Sequence, residues 1–286
     1  MWDLTVIGAR RVQTTVLGID AAWTLSQPSG VALALCDDDG WKLAAVAPSY
    51  QRFLILADQG LAPEPKPSGR MPDMAALLQA AASVARASID LIAVDMPLSK
   101  VPIVGRRRSD DAVSKAYGGR KCGTHSPNAE RPGKISDALR DQAQRAGYPL
   151  ATTAIDMPAL IEVYPHPALV ELARAKERLP YKVQKIRAYW PSVAPLERRA
   201  KLIGQWSHIL TLLETEISGV KRMLPLIDES ASGAELKAFE DMLDAVVCAW
   251  TGICAIEGRA TAFGDDASAI WIPIGDRRQL LSASRK

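Results

Sequence analysis

The sequence predicts an α/β fold, because a β-rich N-terminal region is followed by strands that alternate with helices. Three apolar runs, at residues 14–23, 31–36 and 41–47, are joined by short turns, and the DDDG turn can take the positive φ of a tight hairpin. These runs predict three antiparallel strands. Later runs at 89–98 and 158–165 each follow a helical segment, which is typical of parallel strands in a mixed sheet.

The rest of the chain is predicted to be helical, apart from one long loop and a last strand at 269–274. Residues 99–133 are rich in Arg, Gly and Pro and have little periodicity, so they are expected to form a long loop or insertion. Amphipathic or alanine-rich segments predict helices over 74–88, 134–147, 167–179, 194–217 and 234–258.

The composition indicates a folded, non-membrane protein. The 286 residues include 48% apolar residues and carry a formal charge of +3, which excludes an intrinsically disordered chain. No apolar run approaches the roughly 18–20 residues of a membrane helix. Charges at Asp3, Arg10 and Arg11 interrupt the start of the chain, so we expect a cytoplasmic protein. Four scattered cysteines and three histidines predict no zinc cluster.

The small net charge conceals opposed segments. Residues 100–134 contain nine Lys or Arg against three acids, residues 174–201 contain nine against two, and residues 228–266 contain nine acids against two basic residues. Two interpretations are open. The segments could be solvated faces that pair with each other, or they could attract a polyanion beside a carboxylate site for a divalent metal ion.

Several acids follow apolar segments at positions where they are expected to meet. Asp20, Asp95 and Glu162 lie at or near strand ends, and Asp241 and Asp244 are spaced to share one face of a helix. Converging carboxylates without His or Cys are the ligands that Mg²⁺ or Mn²⁺ prefers, and two such ions can flank a scissile phosphate. Each acid alone could instead cap a helix or turn, form an ion pair or face solvent.

Five short motifs occur in an order that resembles the DUF429 family, whose members are described as predicted nucleases with an RNase H-like fold. The motifs are GIDAAW (18–23), VDMPL (94–98), EVYPHPALVEL (162–172), PYK (180–182) and EDMLDAVVCAWTG (240–252). The resemblance implies a five-stranded mixed sheet, three antiparallel strands and then parallel ones, flanked by helices. It implies one RNase H-like domain over 14–273, with a helical insertion at about 99–150 and terminal extensions at 1–13 and 275–286.

The resemblance also assigns roles to single residues. Asp20 would be the first-strand acid, Asp95 the fourth-strand acid, and Asp241 and Asp244 the acids of the C-terminal helix; these four would hold the metal ions. Glu162 belongs to the EVYP motif and joins them as a catalytic candidate. Four basic residues fall near positions where the family has Lys or Arg, and they could contact substrate phosphate: Lys182, Arg187, Arg198 and Arg199. His166 stands where the family commonly has an acid, and it could be a ligand, a proton carrier or a helix cap.

We therefore expect a Mg²⁺- or Mn²⁺-dependent nuclease or phosphodiesterase that hydrolyses nucleic acid, with DNA and RNA both open. The Arg106–Arg108 run, residues 117–123, and the aromatic residues Trp23, Trp41 and Trp190 are further candidates for substrate contact. One alternative is a binding module for nucleic acid or protein that has lost turnover. Another is an ATP-dependent phosphotransferase, although the segment after the first strand lacks a Gly/Thr/Asn-rich phosphate hairpin.

Overall fold

A computed structural model of the chain describes residues 12–224 and 226–274. Residues 1–11 of the predicted N-terminal extension (1–13) and the whole predicted C-terminal extension (275–286) lie outside the described residues. Within the described part of the chain, no helix is long and apolar enough to cross a membrane.

The prediction of an α/β fold with a mixed sheet is confirmed. The strands lie in the order β3-β2-β1-β4-β5-β7-β6. β1 pairs antiparallel with β2, and β2 antiparallel with β3, whereas β4 is parallel to β1, β5 to β4 and β7 to β5. The strands are β1 Thr14–Asp20, β2 Gly30–Asp37, β3 Gly40–Ala47, β4 Leu91–Asp95, β5 Ala159–Val163, β6 Ala260–Gly264 and β7 Ala269–Pro273.

The expected number of five strands is wrong, because the sheet has seven. β7 pairs with β5, and β6 forms the edge of the sheet through an antiparallel hairpin with β7. β6 was not predicted from its sequence ATAFG, which is short, half-exposed and contains two alanines and a glycine, all poor strand formers. Gly264 has a φ of +154°, which a glycine adopts readily.

Nine α-helices are assigned in the described residues. Four were not predicted: α1 (Tyr50–Ala57) after the third strand, α3 (Arg108–Tyr117) inside the predicted loop, and the short helices α6 (Ile186–Tyr189) and α8 (Val220–Met223). The helix predicted over 167–179 ends early, at Leu172. α3 forms because Asp110 accepts a hydrogen bond from the backbone N–H of Arg107, while Val113 and Tyr117 pack beside Phe263 and Ile270. The helices are α1 Tyr50–Ala57, α2 Met74–Ala85, α3 Arg108–Tyr117, α4 Gly133–Arg145, α5 Pro165–Leu172, α6 Ile186–Tyr189, α7 Pro195–Glu216, α8 Val220–Met223 and α9 Gly233–Ile256.

Helices cover both faces of the sheet and enclose two cores. Leu17, Leu33 and Ile92 face the core formed with α1, α2 and α4. Val16 and Ala93 face the other core, where α9 and α7 lie. This alternation follows from the two-residue period of a strand.

Helix α9 packs unusually close to the sheet, which matters for the candidate site. A Cβ on Gly18 of β1 would contact the backbone of Ala245 and would lie 2.5 Å from the nitrogen of Ala249. A Cβ on Gly30 of β2 would meet the backbone carbonyl of Asp241, and one on Gly252 would lie 2.7 Å from Val16 Cγ1. These three glycines therefore let α9 bring its acidic residues against the strand ends.

Candidate functional site

The centre of the site is a pair of aspartates on neighbouring strands. Asp20 ends β1 and Asp95 ends β4, and the two are register partners in the parallel pairing of these strands. Both side chains are partly buried. Within the described chain, neither carboxylate has a hydrogen-bond or ion-pair partner, so both are free to bind a ligand.

Helix α9 adds two more aspartates, one helical turn apart. Asp244 is fully buried; its Oδ1 accepts a hydrogen bond of 2.9 Å from the Tyr181 hydroxyl, and its Oδ2 forms an ion pair with Lys182. Asp241 is 2% exposed, and its Oδ1 forms an ion pair with Lys237. The other oxygen of Asp241, Oδ2, is buried and has no hydrogen-bond partner among the described residues.

The same turn of α9 carries Glu240, which connects the two lysines. Its Oε1 lies 3.1 Å from Lys237 Nζ and 3.5 Å from Lys182 Nζ, and its Oε2 accepts a hydrogen bond of 2.5 Å from the backbone N–H of Val183. Five carboxylates thus face two ammonium groups. The formal excess of three negative charges favours the binding of cations.

A cavity of about 200 Å³ opens onto this cluster. Asp20, Asp95 and Asp241 line one part of it, together with the two lysines. The remaining lining residues are Ala21, Ala22, Trp23, Gln27, Pro28 and Arg131. A small ligand can therefore reach the unpartnered carboxylates from solvent.

Burial and mutual repulsion raise the pKa values of Asp20, Asp95 and Asp241. Burial raises the pKa of Asp95 to about 7, and the charge of Asp244 adds to this shift. Burial also raises the pKa of Asp241 to about 6, although Lys237 opposes the change. For Asp20, burial and then Asp244 raise the pKa well above its ordinary value. Like charges gathered in a low-dielectric site have this effect, and it is common where a cation or a proton is to be bound.

A family model described as "Protein of unknown function (DUF429)" matches residues 18–269. The chain belongs to the DUF429 family. No curated protein and no solved structure matches it. The matched region contains every carboxylate described above.

Glu162 of this DUF429 protein is engaged differently from the four aspartates. It is 3% exposed, and both of its oxygens bind the guanidinium of Arg107, at 2.5 and 2.8 Å. The backbone N–H of Leu98 donates to the same carboxylate at 2.7 Å, and Arg107 also binds Asp110. Glu162 therefore joins the loop before α3 to β5, and Arg107 is buried between Glu162 and Asp110.

The four basic candidates of the DUF429 protein lie in different settings. Lys182 lines the cavity, and Arg187 is exposed on α6. Arg198 donates to the carbonyls of Trp190 and Pro191, and Arg199 donates to those of Glu229 and Ala231. The last two side chains connect loops to α7. Their contact with phosphate remains a prediction.

Among the three tryptophans, Trp23 lines the cavity, whereas Trp41 donates to Glu257 and Trp190 packs against the core. His166 is buried, and its pKa is lowered well below the ordinary value by burial and then by Lys182. His166 is thus a neutral imidazole close to Lys182 in this DUF429 protein.

Two residues of the network, Lys237 and Glu240, were not identified from the sequence. Their signal was present, since Lys237 stands three and four positions before Glu240 and Asp241 and must share their helix face. Tyr181 belongs to the PYK motif, but a role was assigned only to its neighbour Lys182.

The donor set fits Mg²⁺ or Mn²⁺ in chemistry. Unpartnered oxygens of Asp20, Asp95 and Asp241 surround one cavity, and carboxylates are the ligands these ions prefer. Within residues 12–224 and 226–274, however, no group of three or more His, Cys, Asp or Glu side chains is arranged to hold a metal ion. Mg²⁺ commonly binds through one or two carboxylates, with water and substrate phosphate completing its shell.

Proposed function

We propose that this DUF429 protein is a Mg²⁺- or Mn²⁺-dependent nuclease or phosphodiesterase that hydrolyses phosphodiester bonds in nucleic acid. The observation that carries the proposal is the pairing of Asp20 with Asp95, two partly buried carboxylates without partners at adjacent strand ends. Ionised carboxylates at such a position are costly unless a cation neutralises them, and a divalent cation does so by displacing the protons that they otherwise hold. The strand order β3-β2-β1-β4-β5, with the first three strands antiparallel, supports an RNase H-like architecture.

In this proposal Asp20 and Asp95 bind the metal ion directly, and water and substrate phosphate complete its shell beside Asp241. A bound divalent ion at such a site supplies an activated water nucleophile and stabilises the charge that develops on the leaving oxygen. Asp244 and Glu240 hold Lys182 in place through ion pairs. Burial alone would lower the pKa of Lys182, but the charges of Asp244, Tyr181 and Glu240 raise it well above its ordinary value. Lys182 therefore stays protonated and can attract a phosphate of the substrate to the cavity.

The test is cleavage of nucleic acid by the purified chain with Mg²⁺, Mn²⁺ or EDTA. Single-stranded and duplex DNA and RNA should all be supplied, because the site does not distinguish them. Asp20→Asn keeps the size of the side chain and removes one ligand, so cleavage should fall by at least about 100-fold. Asp156→Asn is the matched control, because this exposed side chain has no hydrogen bond to any part of the chain that the structure describes. Equal cleavage by Asp20→Asn and wild type, with the fold verified by circular dichroism, would refute the proposal.

A second candidate function is a binding module for nucleic acid or protein without turnover. It is favoured by the ion pairs of Lys182 with Asp244 and of Lys237 with Asp241, which already neutralise two acids of α9. Calorimetry separates the two candidates. A nuclease of the proposed kind binds Mn²⁺ through Asp20, whereas the binding module shows nucleic-acid or protein binding that is unaffected by Mn²⁺ and by Asp20→Asn.

A further inference from the structure

The ammonium group of Lys182 is bound to a fully buried carboxylate of helix α9. Its Nζ forms an ion pair with Oδ2 of Asp244 and lies 3.5 Å from Oε1 of Glu240. The other oxygen of Asp244, Oδ1, accepts a hydrogen bond of 2.9 Å from the Tyr181 hydroxyl. Both oxygens of Asp244 are therefore engaged by groups of the chain itself, and neither is open to a metal ion.

An aromatic ring also holds this ammonium group in place. Lys182 Nζ lies 5.1 Å from the centroid of the Tyr181 ring, which is a cation–π contact. Tyr181 is fully buried, and its ring meets the imidazole of His166 edge to face, at a centroid distance of 5.4 Å. The side chain of Lys182 is only 19% exposed. The ammonium group is therefore a fixed charge of the site and not a mobile charge of the surface.

Lys237, the second lysine of the cluster, makes a less complete contact. It forms an ion pair with Oδ1 of Asp241 and lies 3.1 Å from Oε1 of Glu240, and its side chain is 32% exposed. Oδ2 of Asp241 is buried and has no hydrogen-bond partner among the described residues, and Asp241 lines the cavity. Lys237 thus leaves one oxygen of its aspartate open, whereas Lys182 and Tyr181 leave none.

The carboxylates that remain fully open are those of the two strand-end aspartates. Asp20 and Asp95 are register partners, and both line the cavity together with Lys182. Two carboxylates suffice for one Mg²⁺ or Mn²⁺ ion, which keeps several waters in its shell. A second ion about 3.5–4 Å from the first would need oxygens on the α9 side of the cavity. There the ammonium group of Lys182 already holds Asp244 and would repel a further cation.

We propose that the site binds a single divalent ion and that the ammonium group of Lys182 supplies the positive charge that a second ion would otherwise bring to the substrate phosphate. An ammonium group has three N–H donors, so it can bind Asp244 and a phosphate oxygen at the same time. The metal ion and the ammonium group would meet the same phosphate, because Asp20, Asp95 and Lys182 line one cavity. The role toward phosphate rests on the proposed function, whereas the number of bound ions is measured without any cleavage.

Calorimetric titration of the full chain with Mn²⁺ at about pH 8 tests this inference. We expect one ion per wild-type chain. Lys182→Met removes the charge and frees Oδ2 of Asp244, so the number of bound ions should rise to two. Lys237→Met is the matched control, because it removes a lysine of the same cluster but leaves Lys182 in place, and it should still bind one ion. Electron paramagnetic resonance should show a magnetically coupled pair of Mn²⁺ ions in Lys182→Met and an isolated ion in the wild type.

The outcomes also separate this inference from the proposed function. Two ions in the wild type, or one ion in both the wild type and folded Lys182→Met, would overturn the inference and leave the nuclease standing. One ion in the wild type and two in Lys182→Met, without cleavage of nucleic acid, would uphold the ion count and refute the nuclease. Absence of Mn²⁺ binding to the wild type would refute both. If Lys182→Met does not fold, Lys182→Gln replaces it, because its uncharged amide can still donate a hydrogen bond to Asp244.

Discussion

Asp20 and Asp95 are direct register partners on adjacent parallel strands, and their carboxylates leave the sheet side by side. Adjacent strands lie about 4.8 Å apart, so the two acids repel each other strongly when both are ionised. α9 places Asp241 and Asp244 against the same edge. The protein therefore gathers more carboxylates at this edge of the sheet than its two lysines, Lys182 and Lys237, can neutralise.

Metal affinity should rise with pH. A metal ion binds the ionised carboxylates, so it competes with the protons that Asp95 and Asp241 hold up to pH values of about 7 and about 6. Deprotonation of Asp95 alone predicts a gain in Mn²⁺ affinity on the order of 30-fold between about pH 5.5 and about pH 8. Titration calorimetry at the two pH values measures it. An affinity that is constant over this range would contradict the assignment of Asp95 as a ligand.

Without metal, the folded protein should lose stability as the pH rises. Asp95 keeps its proton up to about pH 7 in the folded state but releases it near pH 4 when unfolded, so the folded state binds more protons between these values. The free energy of unfolding then falls with increasing pH. Asp95→Asn removes the ionising group and should stabilise the protein by about 3–4 kcal/mol at pH 8 and by about 1–2 kcal/mol at pH 5, where the unfolded state is already ionised. Urea denaturation in EDTA is the measurement, and a destabilised Asp95→Asn protein at pH 8 would be the opposite result.

Removal of Lys237 should strengthen metal binding. Lys237 forms ion pairs with Asp241 and Glu240, so Lys237→Met frees one oxygen of Asp241 and makes the cluster more negative. We expect the Mn²⁺ affinity to increase by about threefold to tenfold. Lys185→Met, which alters an exposed lysine that has no ion pair with the residues described by the structure, should leave the affinity unchanged. Weaker binding by Lys237→Met would mean that Lys237 supports the site.

Helix α9 should not tolerate a larger residue at its closest contact with β1. The Cβ of Gly18→Ala would contact the backbone of Ala245 and Ala249, which cannot move aside as a flexible side chain can. We expect a loss of about 2–3 kcal/mol of stability, together with weaker Mn²⁺ binding as α9 is pushed from the sheet. Gly118→Ala is the control, because a Cβ there meets no atom within 4 Å. Equal stability of the two variants would show that the contact is not tight.

Arg107 should prove structural. Arg107→Met would leave two buried acids, Glu162 and Asp110, without their guanidinium partner, at an expected loss of about 3–5 kcal/mol. Arg108→Met changes its exposed neighbour and should cost less than about 0.5 kcal/mol. Urea denaturation compares the two. Similar stabilities, with substrate binding lost only in Arg107→Met, would instead make Arg107 a substrate contact.

Sequence patterns predicted the features that depend on local order along the chain. Asp20 and Asp95 each end an apolar strand, and strands that pair in parallel bring their ends to the same edge, so their meeting could be foreseen. Asp241 and Asp244 could likewise be predicted to share a helix face, because they are three positions apart in a helical segment. β6 escaped prediction because five small or half-exposed residues give almost no periodic signal, and only pairing with β7 stabilises them as a strand.

Features that depend on distant contacts could not be predicted. Arg107 and Glu162 are 55 positions apart, and nothing local to either residue indicates that a bidentate ion pair joins them. The hydrogen bonds from Arg198 and Arg199 to backbone carbonyls could not be predicted either. The sequence around an arginine in a charged helix does not indicate whether its side chain contacts solvent, a substrate or a neighbouring loop.

The site draws its acids from opposite ends of the chain, with Asp20 on the first strand and Asp244 on the last helix. At a synthesis rate of about 5–20 residues per second, roughly 10–45 s separate the appearance of these two residues on the ribosome. A nascent chain that already contains Asp20 and Asp95 still lacks α9, which supplies three of the five carboxylates of the cluster. The cluster of acids is therefore incomplete until the last helix has been synthesised, and any activity that depends on it can begin only after the chain is nearly finished.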